Sequence, residues 1–175
     1  MPPRKTPALP VRDTLHVDWP LFGELSRALA LKVSKEFDPE IVVGIATAGV
    51  VPGAAVAAML DRPFHSILVS RRYRAEAVRE TPAVLSAAPP EVHGRRVLIV
   101  DETCNGGDTM RLARAAIVNG GASEVRTAVS FRTGPYKPDF HALEMDSDIV
   151  LPWDRETIVD GELRPNPKYG PGGGY

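Results

Sequence analysis

Short runs of apolar, largely β-branched residues alternate with segments of helical periodicity along this chain. The runs are EIVVGIA, HSILVS, RRVLIVDE and VRTAVSF, which begin at residues 40, 65, 95 and 125. Because each run is continuously apolar rather than alternating, we expect strands that are buried on both faces. This pattern predicts an α/β fold with a mainly parallel sheet flanked by helices.

The segments between these runs carry helix signals. Residues 18–37 have apolar positions at helical spacing, a small-residue segment follows GIATAGVVPG as far as Leu60, and TMRLARAAIVNGG ends in glycines. A late strand, DIVLPW, stops at Pro152. Ligands of parallel α/β sheets bind at the carboxyl ends of the strands. In this chain those ends carry ATAGVVPG, SRRYRAEAVRE, DETCNGGDT and FRTGPYKPD.

The bulk properties limit the function classes. With 175 residues, 43% hydrophobic content and a net charge of -1, the chain is expected to form a single domain without a general attraction to nucleic acid or anionic lipid. No stretch approaches the ~18 apolar residues of a membrane helix. The single cysteine, Cys104, excludes an intramolecular disulfide and a CxxC metal site, and we expect a cytoplasmic protein.

The segment VLIVDETCNGGDT, residues 97–109, combines a buried strand with acids and glycines. Asp101 and Glu102 could bind vicinal hydroxyl groups or a divalent cation. Gly106 and Gly107 permit a tight turn whose N–H groups, with the positive end of the following helix, suit a phosphate. The alternative is a well-capped strand-to-helix turn in which Asp108 is the N-cap.

These residues resemble the signature of the type I phosphoribosyltransferases, and the resemblance extends from about Ile41 to Trp153. In that family two acids follow an apolar strand and precede a glycine-containing phosphate loop. The resemblance implies that Asp101 and Glu102 are the catalytic, ribose-binding residues and hold Mg²⁺ directly or through water. It also implies a phosphate-binding loop that consists of Asn105, Gly106, Gly107, Asp108 and Thr109.

Two further segments resemble the pyrophosphate-binding parts of the family. GIATAGVVPG is similar to the pyrophosphate loop of orotate-type members, which implies contacts from Thr47, Ala48 and Gly49. The connection at about residues 72–95 corresponds to the mobile loop that covers the site. Its arginines Arg71, Arg72 and Arg74 would then neutralise the leaving pyrophosphate, although they could equally form a solvated loop face.

The C-terminal DSDIVLPWDRE is similar to the hood of short xanthine-, guanine- or hypoxanthine-type members. This implies a base pocket formed with Asp148, Ile149 and Trp153, and favours a purine; alternatively, Trp153 packs on the edge of the sheet. The expected organisation is a flexible arm at 1–15, one phosphoribosyltransferase-like domain at 16–160 with its hood at about 141–160, and a flexible tail at 161–175.

Several positions depart from the family pattern. Asn105 stands where purine members commonly have a second acid, so this amide cannot act as a general base. Gly106 lacks the hydroxyl of the usual threonine, and Thr47-Ala48 replaces a basic residue followed by glycine. Asp148 stands where an aromatic often stacks on the base, and Asp108 adds a negative charge to the phosphate loop.

The resemblance implies a pentosyltransferase of purine salvage and nucleotide metabolism. It would transfer the 5-phosphoribosyl group from phosphoribosyl pyrophosphate to a nucleobase with Mg²⁺, as a homodimer and without nucleic-acid or membrane partners. One alternative is a non-catalytic regulator that binds phosphoribosyl pyrophosphate or a nucleotide. Others are an orotate-type phosphoribosyltransferase and an α/β protein that binds another phosphate ester.

Overall fold

A computed structural model of the chain describes residues 13–73 and 77–169, with the side chains of residues 71–81 left out. It contains three α-helices: α1 Trp19–Glu36, α2 Val50–Leu60 and α3 Asp108–Asn119. Six strands form the main sheet: β2 Ile41–Ala46, β3 Phe64–Tyr73, β4 Ala77–Val84, β5 Arg96–Cys104, β6 Glu124–Arg132 and β7 Phe140–Glu144. Four more strands lie outside that sheet: β1 Thr14–His16, β8 Asp148–Val150, β9 Glu156–Val159 and β10 Glu162–Pro165.

The six-stranded sheet has the order β4-β3-β2-β5-β6-β7. Strand β4 pairs antiparallel with β3, and every other neighbouring pair is parallel. The sheet is therefore mainly parallel, and the predicted fold class is confirmed.

The helices cover both faces of this sheet because successive side chains of a buried strand point to opposite sides. On β5, Val97 and Ile99 pack in the cluster that contains Met110, Ala113 and Ile117 of α3. Leu98 and Val100 pack in a second cluster, whose helical members come from α1 and α2. Both sets of β5 side chains are fully buried, as the continuous apolar run VLIV predicts.

The chain leaves the centre of the sheet in two directions. Strand β2 is followed by α2 and β3 on one side, whereas β5 is followed by α3 and β6 on the other. The loops after β2 and β5 therefore diverge, and they open a crevice at the carboxyl ends of these neighbouring strands. Such switch points are where open α/β sheets bind ligands.

The described residues fall into two compact units. The larger contains residues 20–145, and the smaller combines residues 13–19 with residues 146–169. Within the smaller unit β1 pairs parallel with β8, and β9 and β10 form an antiparallel hairpin. Trp19 and Trp153 pack there with ring centroids 5.9 Å apart.

Four segments differ from their expected structure. Residues 14–15 of the expected flexible arm belong to β1, which pairs with β8. We expect a loop at about residues 72–95, but the described part of this segment contains β4 and a 3-10 turn at Pro90–Val92. Strand β4 forms because it pairs with the extended end of β3. Residues 141–144, which we expected in the hood, complete β7 of the main sheet through pairing with β6. Of the expected tail, residues 162–165 form β10 and 167–169 a 3-10 turn.

Other expectations lie beyond what the structure describes. The arm at residues 1–12, loop residues 74–76 and tail residues 170–175 lie outside the described residues. Within the described part of the chain, no helix combines the length and apolar character needed to cross a membrane.

Candidate active site

The two acids of β5 lie where the central strands separate. Pairing between β2 and β5 ends at Gly44 and Val100, whereas pairing between β5 and β6 continues to Cys104. Asp101 and Glu102 therefore occupy the part of β5 that extends past its β2 neighbour. This places both carboxylates at the crevice of the switch point.

Asp101 is a buried acid, with 8% of its surface exposed. Its Oδ1 accepts a hydrogen bond from the backbone N–H of Glu102 at 3.0 Å. Burial, followed by the charge of the neighbouring Glu102, raises the pKa of the Asp101 carboxyl well above its ordinary value of 3.8. Hydroxyl donors or a cation in this crevice would stabilise the ionised form, so the pair is suited to a sugar or a metal.

The loop after β2 approaches Asp101 closely at Gly49. A Cβ atom on Gly49 would lie 2.6 Å from Oδ1 of Asp101 and 2.6 Å from the carbonyl oxygen of Ile45, which leaves no room for a side chain. Gly49 is also the N-cap of α2, so the first N–H groups of that helix begin beside the acid. Thr47 is exposed, Ala48 is half-buried, and the Ala46–Thr47 peptide bond is cis.

The loop after β5 ends at the N-terminus of α3. Gly107, at φ +84°, is the N-cap, and Asp108 is the first helical residue, so the alternative of a turn capped by Asp108 is wrong. The physical reason is the left-handed conformation, which glycine adopts at little cost. The Asp108 carboxylate instead accepts a bond from Nη1 of Arg111 at 3.1 Å.

This loop is held by the segment that follows β6. The N–H of Thr133 donates to the Cys104 carbonyl at 2.9 Å, and the N–H of Tyr136 donates to the Asn105 carbonyl at 3.1 Å. The Tyr136 ring lies against Gly107, where a Cβ atom would collide with it. The sequence FRTGPYKPD predicts only the end of a strand, and nothing local to Tyr136 signals its contact with the loop after β5.

Cys104 is part of the apolar core beside this loop. It is 5% exposed, and burial followed by the charge of Asp101 raises the pKa of its thiol to about 11. A thiol that stays protonated at neutral pH is a poor nucleophile. These observations favour a structural role for Cys104 in the core.

The sequence pattern of the phosphoribosyl transferase domain family matches residues 16–160. This chain belongs to that family. The resemblance seen in the β5 motif and the prediction of a phosphoribosyltransferase are thereby confirmed at the level of the family.

This chain is similar to two curated proteins and to one solved structure, among others. The orotate phosphoribosyltransferase of Saccharolobus solfataricus is 34% identical over 92 residues, which are 53% of this chain and 43% of that protein, less than half of its length. The xanthine-guanine phosphoribosyltransferase of Nitratidesulfovibrio vulgaris is 25% identical over 148 residues, 83% of this chain and 88% of that protein. A purine phosphoribosyltransferase structure from Pyrococcus horikoshii has a TM-score of 0.71 at 23% identity, covering 85% of this chain and 99% of that chain.

The remaining expected site residues lie in different parts of the molecule. Asp148 and Ile149 are in β8, paired with Thr14 and Leu15 of β1, and Trp153 packs on Trp19. The side chains of Arg71 and Arg72, and all of Arg74, lie outside the described residues. Their assignments to the base and the pyrophosphate stay predictions.

The donor set fits Mg²⁺ only as a partner of a phosphorylated substrate. Among the described residues, no group of three or more histidine, cysteine or acidic side chains is placed to hold a metal ion. Mg²⁺ commonly takes one or two carboxylates and completes its shell with substrate oxygens and water. Asp101 and Glu102 supply two hard oxygen donors of that kind.

Proposed function

We propose that the protein transfers the 5-phosphoribosyl group from phosphoribosyl pyrophosphate to a purine base and releases pyrophosphate. One arrangement carries this proposal: the acid pair at the end of β5 lies near the N-termini of two helices, and each of these helices has a glycine as its N-cap. Gly49 caps α2 and contacts Asp101, and Gly107 caps α3 five residues after Glu102. Two anion-binding helix ends around a hydroxyl-binding pair match a sugar that carries a phosphate at each end.

In this proposal each part of the site has a separate task. Asp101 and Glu102 accept hydrogen bonds from the ribose hydroxyls and orient the sugar. The N–H groups at the start of α3 hold the 5′-phosphate, and the Thr47–Gly49 loop holds the pyrophosphate. The bond from C1 to the pyrophosphate oxygen breaks, and its electron pair leaves with that oxygen. A base nitrogen forms the new bond to C1, and its proton passes to the departing pyrophosphate or to water.

Mg²⁺, when bound with the substrate through Asp101 and Glu102, supplies positive charge to the departing pyrophosphate. The protein residues fix the positions of the two reactants and keep water from C1. Asn105 takes no part in proton transfer, because an amide is not a base at neutral pH.

Two observations support a purine as the base. The xanthine-guanine phosphoribosyltransferase is aligned over 148 residues, which are most of this chain and most of that protein. The orotate relative is matched over 43% of its length. The proposal includes the hood residues Asp148, Ile149 and Trp153 as the base-binding set.

A second candidate is a regulator that binds phosphoribosyl pyrophosphate without turnover. Asn105 favours it, because purine members commonly carry an acid there and this chain has an exposed amide. In that case the ribose-phosphate contacts would be kept and no base would be joined to C1.

The test is a pyrophosphate-release assay with phosphoribosyl pyrophosphate, Mg²⁺ and a panel of guanine, hypoxanthine, xanthine, adenine and orotate. Release with a 6-oxopurine and formation of its 5′-monophosphate are expected. Binding of the substrate without release with any base would support the regulator, and release with orotate alone would overturn the purine assignment.

The residue assignment is tested by Asp101→Asn combined with Glu102→Gln. We expect phosphoribosyl pyrophosphate binding to weaken by at least about tenfold, since each lost charged acceptor of a hydroxyl group is worth on the order of 1.5–3 kcal/mol. The matched control is Asp61→Asn with Glu24→Gln, two exposed acids of the larger unit, one directly after α2 and one on α1. Unchanged binding by the Asp101/Glu102 variant would overturn the ribose assignment.

The proposed setting is a cytoplasmic, Mg²⁺-dependent homodimer in purine salvage. Light scattering after size-exclusion chromatography tests the dimer, and omission of Mg²⁺ from the assay tests the cation. A monomer that retains full activity would remove the dimer from the proposal.

A further inference from the structure

The phosphate loop Asn105–Gly107 needs support from outside its own sequence. Gly106 and Gly107 have no side chains, and glycine backbone visits many conformations. An N–H group that must point at a phosphate therefore has to be held by neighbouring residues. Two side chains, Arg111 and Tyr136, contact the loop and can hold it in this way. Neither residue was identified from the sequence.

Arg111 holds the carbonyl side of the loop. Its Nη1 donates to the Gly106 carbonyl oxygen at 2.9 Å and to Oδ1 of Asp108 at 3.1 Å. In a planar trans peptide the C=O and the following N–H point in opposite directions. Fixing the Gly106 carbonyl on Arg111 therefore directs the Gly107 N–H away from Arg111.

Tyr136 contacts both the Arg111 guanidinium and Gly107 of the loop. The Arg111 guanidinium lies over the Tyr136 ring at 4.9 Å from the centroid, and that ring packs against Gly107. The Tyr136 backbone is fixed twice, through its N–H to the Asn105 carbonyl at 3.1 Å and through its own carbonyl, which accepts from Nε of Arg132 at 2.8 Å. The ring thus has a defined place from which it orients Arg111.

Arg111 also neutralises the negative charge of Asp108. This carboxylate lies in the first turn of α3, next to the expected phosphate position. Its bond to Arg111 neutralises the charge and draws the carboxylate toward the guanidinium. Both side chains are more than half exposed, so the pair contributes little to folding stability, and its effect is on position and local charge.

We infer that Arg111 and Tyr136 are positioning residues that hold the Gly106–Gly107 peptide in its phosphate-binding orientation. The inference rests on the proposed function, because it assigns this loop to the 5′-phosphate. Neither residue touches the reacting atoms. They act through the loop, and their loss affects ligands that carry a 5′-phosphate more than ligands that do not.

The experiment compares two ligands on the same variants by isothermal titration calorimetry. Ribose 5-phosphate probes the phosphate loop, and Mg²⁺-pyrophosphate probes the other end of the site. Arg111→Met is expected to weaken ribose 5-phosphate binding about tenfold, the equivalent of one lost charge-assisted bond, while pyrophosphate binding stays unchanged. Arg111→Lys, which keeps the charge, is expected to recover part of the loss.

Tyr136 is tested by the pair Tyr136→Phe and Tyr136→Leu. The phenylalanine variant keeps the ring face for Arg111 and is expected to bind ribose 5-phosphate as the wild type does. The leucine variant is expected to lose affinity. The matched control is Arg114→Met, which removes an exposed arginine one turn further along α3 and is expected to change neither ligand.

The outcomes separate this inference from the proposed function. Equal binding of ribose 5-phosphate by wild type and Arg111→Met would overturn the inference, as would an equal loss of both ligands, which indicates general damage. Failure of the wild type to bind ribose 5-phosphate or phosphoribosyl pyrophosphate would overturn the proposed function itself.

Discussion

Gly49 and Asp101 are in such close contact that a Cβ atom on the glycine would lie 2.6 Å from Oδ1 of the acid. The contact joins the loop after β2 to the carboxylate at the end of β5, on opposite sides of the switch point. Because Gly49 has φ −66°, its backbone would accept any residue, so space rather than conformation requires glycine here. The loop after β2 and the Asp101 carboxylate are therefore one packed unit.

Gly49→Ala is expected to displace Asp101 and to weaken the site. An added methyl group in a filled space typically costs about 1–3 kcal/mol of stability. We expect a raised KM for phosphoribosyl pyrophosphate together with a lower free energy of unfolding in urea. The control is Gly23→Ala on α1, where no heavy atom lies within 4 Å of the new Cβ and a gain of roughly 0.5–1 kcal/mol is expected. A folded Gly49→Ala protein with the wild-type KM would contradict the coupling.

Asp101 is expected to lower the stability of the folded state as the pH rises. Its pKa in the folded protein is raised above the ordinary 3.8, so between these two pKa values the folded state binds more protons than the unfolded state. Stability from this carboxyl is therefore fully present below 3.8 and is lost as the pH rises through the folded pKa.

Asp101→Asn removes this ionisation and keeps an oxygen to accept the Glu102 N–H. Relative to wild type, the variant is expected to gain stability as the pH rises above 3.8 and through the raised pKa of Asp101, and to lose phosphoribosyl transfer. Urea unfolding at several pH values measures the first effect. A pH-independent difference between Asp101→Asn and wild type would refute the raised pKa of Asp101.

The sequence was sufficient for the parts of the fold that local pattern determines. The runs IVVGIA and RVLIVDETC are buried on both faces and became β2 and β5, and the helical periodicity of residues 18–37 became α1. The acids of β5 could be located because a polar pair at the end of an apolar strand has few structural explanations.

Other features depend on pairing or contact between distant residues. Strand β4, AVRETPAV, carries charges and a proline typical of an edge strand and has no clear period of two. Strand β1 has three residues, too few for a periodic signal, whereas β8 forms within the late strand predicted at DIVLPW. The N-cap at Gly107 depends on a backbone angle that the sequence does not determine. The contact of Tyr136 with the loop depends on packing between residues that are 29 positions apart, Gly107 and Tyr136.

Cys104 is expected to resist alkylation in the native protein. Burial holds the pKa of its thiol at about 11, so the reactive thiolate is scarce at neutral pH. Iodoacetamide should modify the urea-unfolded chain at least about a hundredfold faster than the native chain at pH 8. Cys104→Ala should retain phosphoribosyl pyrophosphate binding, and rapid alkylation of the native thiol would contradict its structural role.

Thr127 on β6 is expected to stabilise the segment that carries Tyr136. Its backbone N–H and Oγ1 both donate to Oδ2 of Asp139, at 2.7 and 2.8 Å, and its Oγ1 accepts from the Asp139 N–H at 3.1 Å. Thr127 is 1% exposed, so Thr127→Val keeps the volume but leaves the Asp139 N–H without this acceptor. The expected cost is about 1–2 kcal/mol in the free energy of unfolding.

Thr127→Ser provides the comparison, because serine keeps the hydroxyl and removes one methyl group. If the hydrogen bonds dominate, the serine variant unfolds at a higher urea concentration than the valine variant; if packing dominates, the order is reversed. The segment from Thr133 to Asp139 is fixed at one end by the loop after β5 and at the other by Thr127. Loosening the Thr127 end should therefore also weaken ribose 5-phosphate binding by Thr127→Val, and calorimetry on both variants measures whether the two ends of the segment are coupled.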